Sequence, residues 1–221
     1  MTWTSFVAAL VGGCGRVAFD ASGGDAGDAM PEVQALGGLV DDFEDGTTAA
    51  FWDPYSDAGG STFAEAGGEL AITYAVGVND SYAGYVTGVG RDFRGTGIWV
   101  ELAAVPTGPD GANCYFTIDD LSGALSIGFE LDATMLDVLD QNGNAVGTFA
   151  HDLATRRWLR IREAAGTLYF DASPDGSAWT LLSTQAAPGY VTDAYANIGG
   201  GTYQLTASSG TCRFASFNRT P

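Results

Sequence analysis

Residues 157–182 read RWLRIREAAGTLYFDASPDGSAWTLL, and few folds can accommodate such a stretch. Apolar and polar residues alternate with a period of two, the pattern of strands that bury one face. Two clusters of turn-forming residues interrupt the alternation. Leu159 and Ile161 share one face, with Trp158, Arg160 and Arg162 on the other. Leu168 and Phe170 share a face opposite Thr167, Tyr169 and Asp171. Setting aliphatics opposite aliphatics pairs Ile161 with Leu168 and Leu159 with Phe170, across the loop Glu163-Ala164-Ala165-Gly166. The same rule pairs Phe170 with Trp179 and Leu168 with Leu181, across Ser173-Pro174-Asp175-Gly176. There Pro at the second position presets φ, and Gly at the fourth completes type I turn chemistry. The stretch is predicted as three antiparallel strands, with Trp179 in the core and Ser173, Asp175 and Gly176 as turn-formers.

Similar alternation recurs along the chain. A first strand is expected over 40–46, running into an acidic turn. A hairpin spans 63–74, with Phe63 and Ile72 flanking Ala66-Gly67-Gly68-Glu69. Further strands are predicted over 82–87, 98–103, 114–118, 125–131 and 135–139. The turn Asp140-Gln141-Asn142-Gly143-Asn144 leads to a returning strand over 146–149. Two more follow the central stretch, over 194–205 and 212–218. No amphipathic helical period is present, and 32 glycines suit a turn-rich chain. About a dozen short strands at near-regular spacing predict an all-β sandwich, jelly roll or barrel.

The order of these segments carries a resemblance. DDFEDG opens the domain, a hairpin holds AGGELAI, and WLRIREAAGTLYFDASPDGSAW stands at the centre; ANIGGG and a last strand CRFASFN close it. Residues 38–219 resemble the concanavalin A-like (laminin G-like) jelly roll of bacterial surface proteins. The resemblance implies a two-sheet antiparallel β-sandwich whose concave sheet is a common binding surface. Relatives of that kind include carbohydrate-binding modules, lectins, adhesive modules and some glycosidases.

Ahead of this domain, residues 3–13 form a short apolar run that ends in small residues and is too short to span a bilayer. It reads as a signal-peptide core. Val11-Gly12-Gly13-Cys14 resembles the lipobox of bacterial lipoproteins, which implies lipidation at Cys14; Met1 to Phe6 lack the usual Lys or Arg. Residues 15–37, rich in Gly, Ala and Asp, read as a flexible acidic linker. The domain then spans 38–221. The residue after Cys14 is Gly, as in lipoproteins sorted to the outer membrane. An exported, lipid-anchored protein of a Gram-negative outer membrane is therefore expected, touching the membrane only through its anchor. With Cys14 lipidated, Cys114 and Cys212 are left as a disulfide in an oxidising compartment, or as two buried thiols. A net charge of −18 argues against nucleic-acid partners.

Catalysis on this fold can be sought in one motif. Glucanases of the family-16 type carry two catalytic Glu on one strand, flanking an Asp. Glu130-Leu131-Asp132 begins that pattern, but Thr134 and Met135 stand where the second Glu is due. The one histidine, His151, reads as a surface turn residue without a G-x-S-x-G nucleophile motif nearby. The chain is thus expected not to be an enzyme. Strand alternation instead sets Trp99, Tyr115, Trp158 and Tyr169 on the faces opposite the aliphatics, with Glu101, Glu130 and Arg160 among them. Aromatic faces beside hydrogen-bonding groups suit sugar rings. These seven residues are the expected ligand site, for a polysaccharide or glycosylated surface. The alternatives are an adhesive or structural surface protein that binds protein, and a glycosidase. No cofactor is required, although Asp41, Asp42, Glu44 and Asp45 could supply oxygens to a structural calcium, or form a solvated acidic turn.

Overall fold

A computed structural model describes residues 34–107, 111–204 and 210–221. Cys14 and most of the expected linker lie outside these residues. Fourteen strands follow in chain order: β1 (Trp52–Ser56), β2 (Thr62–Glu65), β3 (Leu70–Thr73), β4 (Ser81–Thr87), β5 (Gly97–Ala104), β6 (Ala112–Asp119) and β7 (Ser126–Leu131). The second half holds β8 (Met135–Leu139), β9 (Ala145–Ala150), β10 (Trp158–Ala164), β11 (Thr167–Ser173), β12 (Thr180–Ala186), β13 (Tyr195–Thr202) and β14 (Thr211–Phe217). Among the described residues a short α-helix, α1 (Leu153–Arg156), starts on the side chain of Asp152, which accepts from the Ala154 amide.

The strands form two antiparallel seven-stranded sheets. Sheet I has the order β1-β4-β13-β6-β7-β8-β9, and sheet II the order β12-β11-β10-β5-β14-β3-β2. Alternation puts one face of each strand between the sheets. Phe116, Ile118, Phe129, Leu136, Val138 and Ile198 of sheet I meet Ile98, Val100, Leu102, Leu159, Ile161, Leu168, Phe170 and Phe214 of sheet II. Phe129 and Phe170 cross the interior edge to face, with ring centroids 5.6 Å apart. Cys114 of β6 and Cys212 of β14 are disulfide-bonded through the core, Cα to Cα 5.7 Å. The two-sheet sandwich and the bond between these cysteines are as expected.

Four local expectations need correction. Ile161 pairs with Phe170 and Leu159 with Ala172, two residues away from the predicted register. A shift of two preserves both faces, so parity alone could not exclude it. The turn decides: Ala165 and Gly166 both take positive φ, 51° and 80°, and close a two-residue hairpin of type I′ character. The second hairpin is also displaced. Phe170 pairs with Ser183 rather than Trp179, Leu168 pairs with Gln185 rather than Leu181, and a bulge falls between Phe170 and Asp171. Trp179 is therefore outside the core, its indole lying 4.1 Å from the Arg160 guanidinium, and Leu181 is half exposed to solvent. Ser173 and Asp175 do form the turn, accepting the amides of Gly176, Ser177 and Ala178. Residues 40–46 make a single bridge, Asp41 to Phe217, instead of a strand. Leu36, placed in the linker by composition, is fully buried in the core.

Candidate functional site

The outward side chains of sheet I make a continuous polar surface. Cross-strand register sets one row as Tyr55, Gly84, Gly199, Tyr115, Glu130, Asp137 and Thr148. Two glycines in its middle leave a floor without side chains. The hydroxyls of Tyr55 and Tyr115 meet above it in a hydrogen bond; a Cβ on Gly199 would lie 2.6 Å from the Tyr55 oxygen and 2.5 Å from that of Tyr115. Tyr82 stands beside them, its ring centroid 6.3 Å from that of Tyr115.

A hydrogen-bonded network runs from this row into the sheet. The Tyr55 hydroxyl donates to Asn197 Oδ1 at 2.9 Å, and Asn197 Nδ2 donates to Asp119 Oδ2 at 2.8 Å. Thr117 and Ser126 hydroxyls donate to the other oxygen of Asp119 at 2.8 and 2.6 Å. Such fully engaged buried groups rigidify a surface.

Glu130 and Asp137 are direct cross-strand neighbours on β7 and β8. Asn113 Nδ2 donates to Glu130 Oε1 at 2.8 Å. Burial raises the Glu130 carboxyl above its ordinary value, the Asn113 hydrogen bond opposes this, and the charges of Asp137 and Asp132 raise it further. One oxygen each of Asn113 and Asp137 is buried without a hydrogen-bond partner. Asp132 serves the β7–β8 turn, its Oδ1 accepting the amides of Thr134 and Met135 at 2.7 Å.

The seven expected ligand residues do not form one site. Tyr115 and Glu130 lie on the outer face of sheet I. Trp99, Glu101, Trp158, Arg160 and Tyr169 lie on the outer face of sheet II, at the other side of the sandwich. Alternation identifies outward residues but not the sheet to which a strand belongs, and this merged two surfaces. On sheet II, Arg160 and Arg162 both bind Asp171 Oδ2, at 2.9–3.0 Å and 2.8 Å. The Arg160 guanidinium covers the Trp179 ring, and that of Arg162 covers Tyr169 at 4.0 Å. Arg160 and Tyr169 are thus parts of an ion-pair and cation–π ladder along the sheet. Trp158 is nearly buried.

Asn113, Asp137 and Asn197 were not anticipated. A signal for Asp137 was present: setting aliphatic Leu131 opposite Leu136, across the loop Asp132-Ala133-Thr134-Met135, brings Glu130 and Asp137 together. The acidic residues near the domain start do not gather round one cation position but bind local amides, the Trp52 indole and Arg219. Asp41 accepts from the Phe43 amide and the Trp52 indole, both at 2.9 Å; Asp42 and Asp45 accept from the Glu44 and Thr47 amides; Glu44 pairs with Arg219 at 2.8 Å. Among the described residues, no three His, Cys, Asp or Glu side chains assemble as a metal site. His151 is half-buried rather than on the open surface, its Nε2 lacks a partner, and burial lowers its pKa.

No protein-family model and no curated protein matches the chain. Solved structures do. The laminarinase from Flavobacterium sp. UMI-01 superposes with a TM-score of 0.59 at 14% identity, covering 81% of this chain and 97% of that enzyme. The Bacillus licheniformis beta-glucanase gives 0.61 at 9% identity, covering 83% and 98%. The GH43 BlXynB protein from Bacillus licheniformis gives 0.59 at 13% identity, covering 85% of this chain but 40% of that one. The expectation that the chain is no enzyme is overturned by these matches, because the three structures named are of glycoside hydrolases. That expectation looked for a second carboxylate along one strand only; Asp137 stands across from Glu130 on the next. At such low identity the likeness establishes the fold, a concanavalin A-like jelly-roll sandwich.

Proposed function

We propose that the outer face of sheet I is a glycan site, and that the chain cleaves the glycosidic bonds of a polysaccharide laid across it. The carrying observation is the in-register pair Glu130 and Asp137. Directly opposed residues on antiparallel strands hold their Cβ atoms about 4.5–5.5 Å apart. Both side chains leave the same face side by side, the arrangement by which retaining glycosidases bring two carboxyl groups to one glycosidic bond. Glu130, its pKa raised by burial, suits the acid that protonates the leaving oxygen. Asp137, the opposed carboxylate, suits the nucleophile. Tyr55, Tyr82 and Tyr115 supply ring faces for the sugar, and the glycines beneath give the Tyr55–Tyr115 pair room to lie against the sheet.

The test is reducing-end release and affinity electrophoresis of the full chain on laminarin, mixed-linkage β-glucan and xylan. Wild type should bind and cleave one of them. Glu130→Gln and Asp137→Asn should lower the rate at least a hundredfold while the folded signal is kept. Gly199→Ala should displace the tyrosine pair and weaken binding. If wild type neither binds nor cleaves any glycan of a broader array, the reading falls.

Export as a lipoprotein is the cellular setting that Val11-Gly12-Gly13-Cys14 supports, and the Cys114–Cys212 bond accords with an oxidising compartment. Radiolabelled palmitate should enter the wild-type protein and not the Cys14→Ala variant. Equal labelling of both would remove the anchor from this reading.

A further inference from the structure

Sheet II carries a second feature, unrelated to the carboxylate pair. Register aligns Ser216 of β14, Glu101 of β5, Trp158 of β10 and Ser173 of β11 in one row on its outer face. Residues 218–221 fold back over that row. The Asn218 amide donates to the Trp99 carbonyl at 2.8 Å, the Trp99 amide to Asn218 Oδ1 at 2.8 Å, and the Trp99 indole to the Arg219 carbonyl at 2.7 Å. Between tail and sheet lies a pocket of about 420 Å³, lined among others by Glu101, Trp158, Ser216, Arg219, Thr220 and Pro221. This falls within the roughly 300–1,000 Å³ of small-ligand sites.

The Ser216 hydroxyl is the telling group. The residue is 1% exposed, and its oxygen has no hydrogen-bond partner. A buried polar group left unpaired destabilises the fold, and a ligand hydroxyl that displaced the tail residues covering it would supply the missing partner. The charges of the pocket are already countered. Arg157 holds Glu101 at 2.9 Å, and Arg219 is held by Glu44 at 2.8 Å and Asp42 at 3.7 Å. A charged ligand would therefore compete with existing pairs, whereas a neutral one with many hydroxyls can use their remaining lone pairs and N–H groups. Trp158 shows the pocket only an apolar edge, being 6% exposed, with Gly176 close against its ring, where a Cβ would stand 3.0 Å from it.

We propose that this pocket is a second carbohydrate site, which takes one neutral sugar residue against Trp158 between Glu101, Ser216 and Arg219. It makes the chain bivalent, with sugar sites on opposite faces of the sandwich. The two readings stand independently, because no Trp lies on the outer face of sheet I among the described residues.

The experiment follows the indole N–H cross-peaks of ¹⁵N-labelled full chain during titration with the methyl glycosides of glucose, galactose, mannose and xylose. At least one should shift the Trp158 peak saturably. The affinity should fall tenfold or more in both Ser216→Ala and Glu101→Gln, with melting temperatures showing that both variants fold. Absence of any saturable shift, or shifts of equal affinity in the variants, overturns the proposal and leaves the Ser216 hydroxyl to water. Cleavage of polysaccharide is read by reducing-end release, so failure of the sheet I site would be seen separately.

Discussion

Removing the Cys114–Cys212 bond tests how the two sheets are held together. The bond joins β6 of sheet I to β14 of sheet II across a sequence separation of 98 residues. Both cysteines are fully buried, with the Tyr74 hydroxyl 3.7 Å from Cys114 Sγ. A crosslink chiefly limits the freedom of the unfolded chain, and for a loop near a hundred residues the chain-entropy argument assigns it about 4–5 kcal/mol. A protein of this size shifts its melting temperature by roughly 2–4 °C per kcal/mol. Reduction should therefore lower Tm by roughly 8–20 °C. Urea unfolding should show a lower midpoint and a steeper slope, since the reduced unfolded chain expands further. The Cys114→Ala/Cys212→Ala double variant should fall further than the reduced native protein, because it also loses two buried sulfurs. Thiol titration provides the control: of three cysteines, the unfolded, non-reduced and unlipidated chain should expose one, Cys14. A stability loss below about 1 kcal/mol on verified reduction, or three titrating thiols before reduction, would refute the reasoning.

Other consequences are simpler to check. Trp179→Ala should cost about 1 kcal/mol or less, the scale of an exposed cation–π contact, whereas Phe170→Ala should cost about 3–5 kcal/mol as a core deletion; equal costs in urea melts would restore Trp179 to the core. Glu130 has a raised pKa in the folded state, so the fold binds its proton more tightly and loses stability as pH rises from the ordinary value of 4.5 through the raised one. Thermal melts should show Glu130→Gln gaining on wild type over that window, and a gap that is flat or closes with pH would contradict the assignment. Ala165 holds positive φ beside Gly166; Ala165→Asn supplies the preferred Asn-Gly pair and should stabilise by up to about 1–2 kcal/mol, the cost an ordinary residue bears in the left-handed region, and a destabilised variant would count against the two-residue turn.

Much of the fold was legible in the sequence because strand alternation is a local property. Which residues of 157–182 face inward follows from a period of two and needs no partner. Ile161, Leu168 and Phe170 are buried as expected, and so are Ile98, Val100 and Leu102. The register was less accessible. A slip of two keeps every inward residue inward, so only the backbone angles of Ala165 and Gly166 distinguish Ile161–Phe170 from Ile161–Leu168. The bulge at Phe170/Asp171 then carried Trp179 to the outer face, where Arg160 was available to cover it.

The candidate site shows the same division more sharply. The residues with chemistry to offer, Tyr115 and Glu130 on one side and Glu101 and Trp158 on the other, follow from alternation alone. Their separation onto two sheets does not, because a strand's sheet is set by long-range pairing: β13 inserts between β4 and β6, and β14 between β3 and β5. Those insertions join residues more than a hundred positions apart, such as Tyr55 with Asn197 and Trp99 with Asn218. Chain order carries faces and turns, while the pairing energy of distant strands decides which faces become one surface.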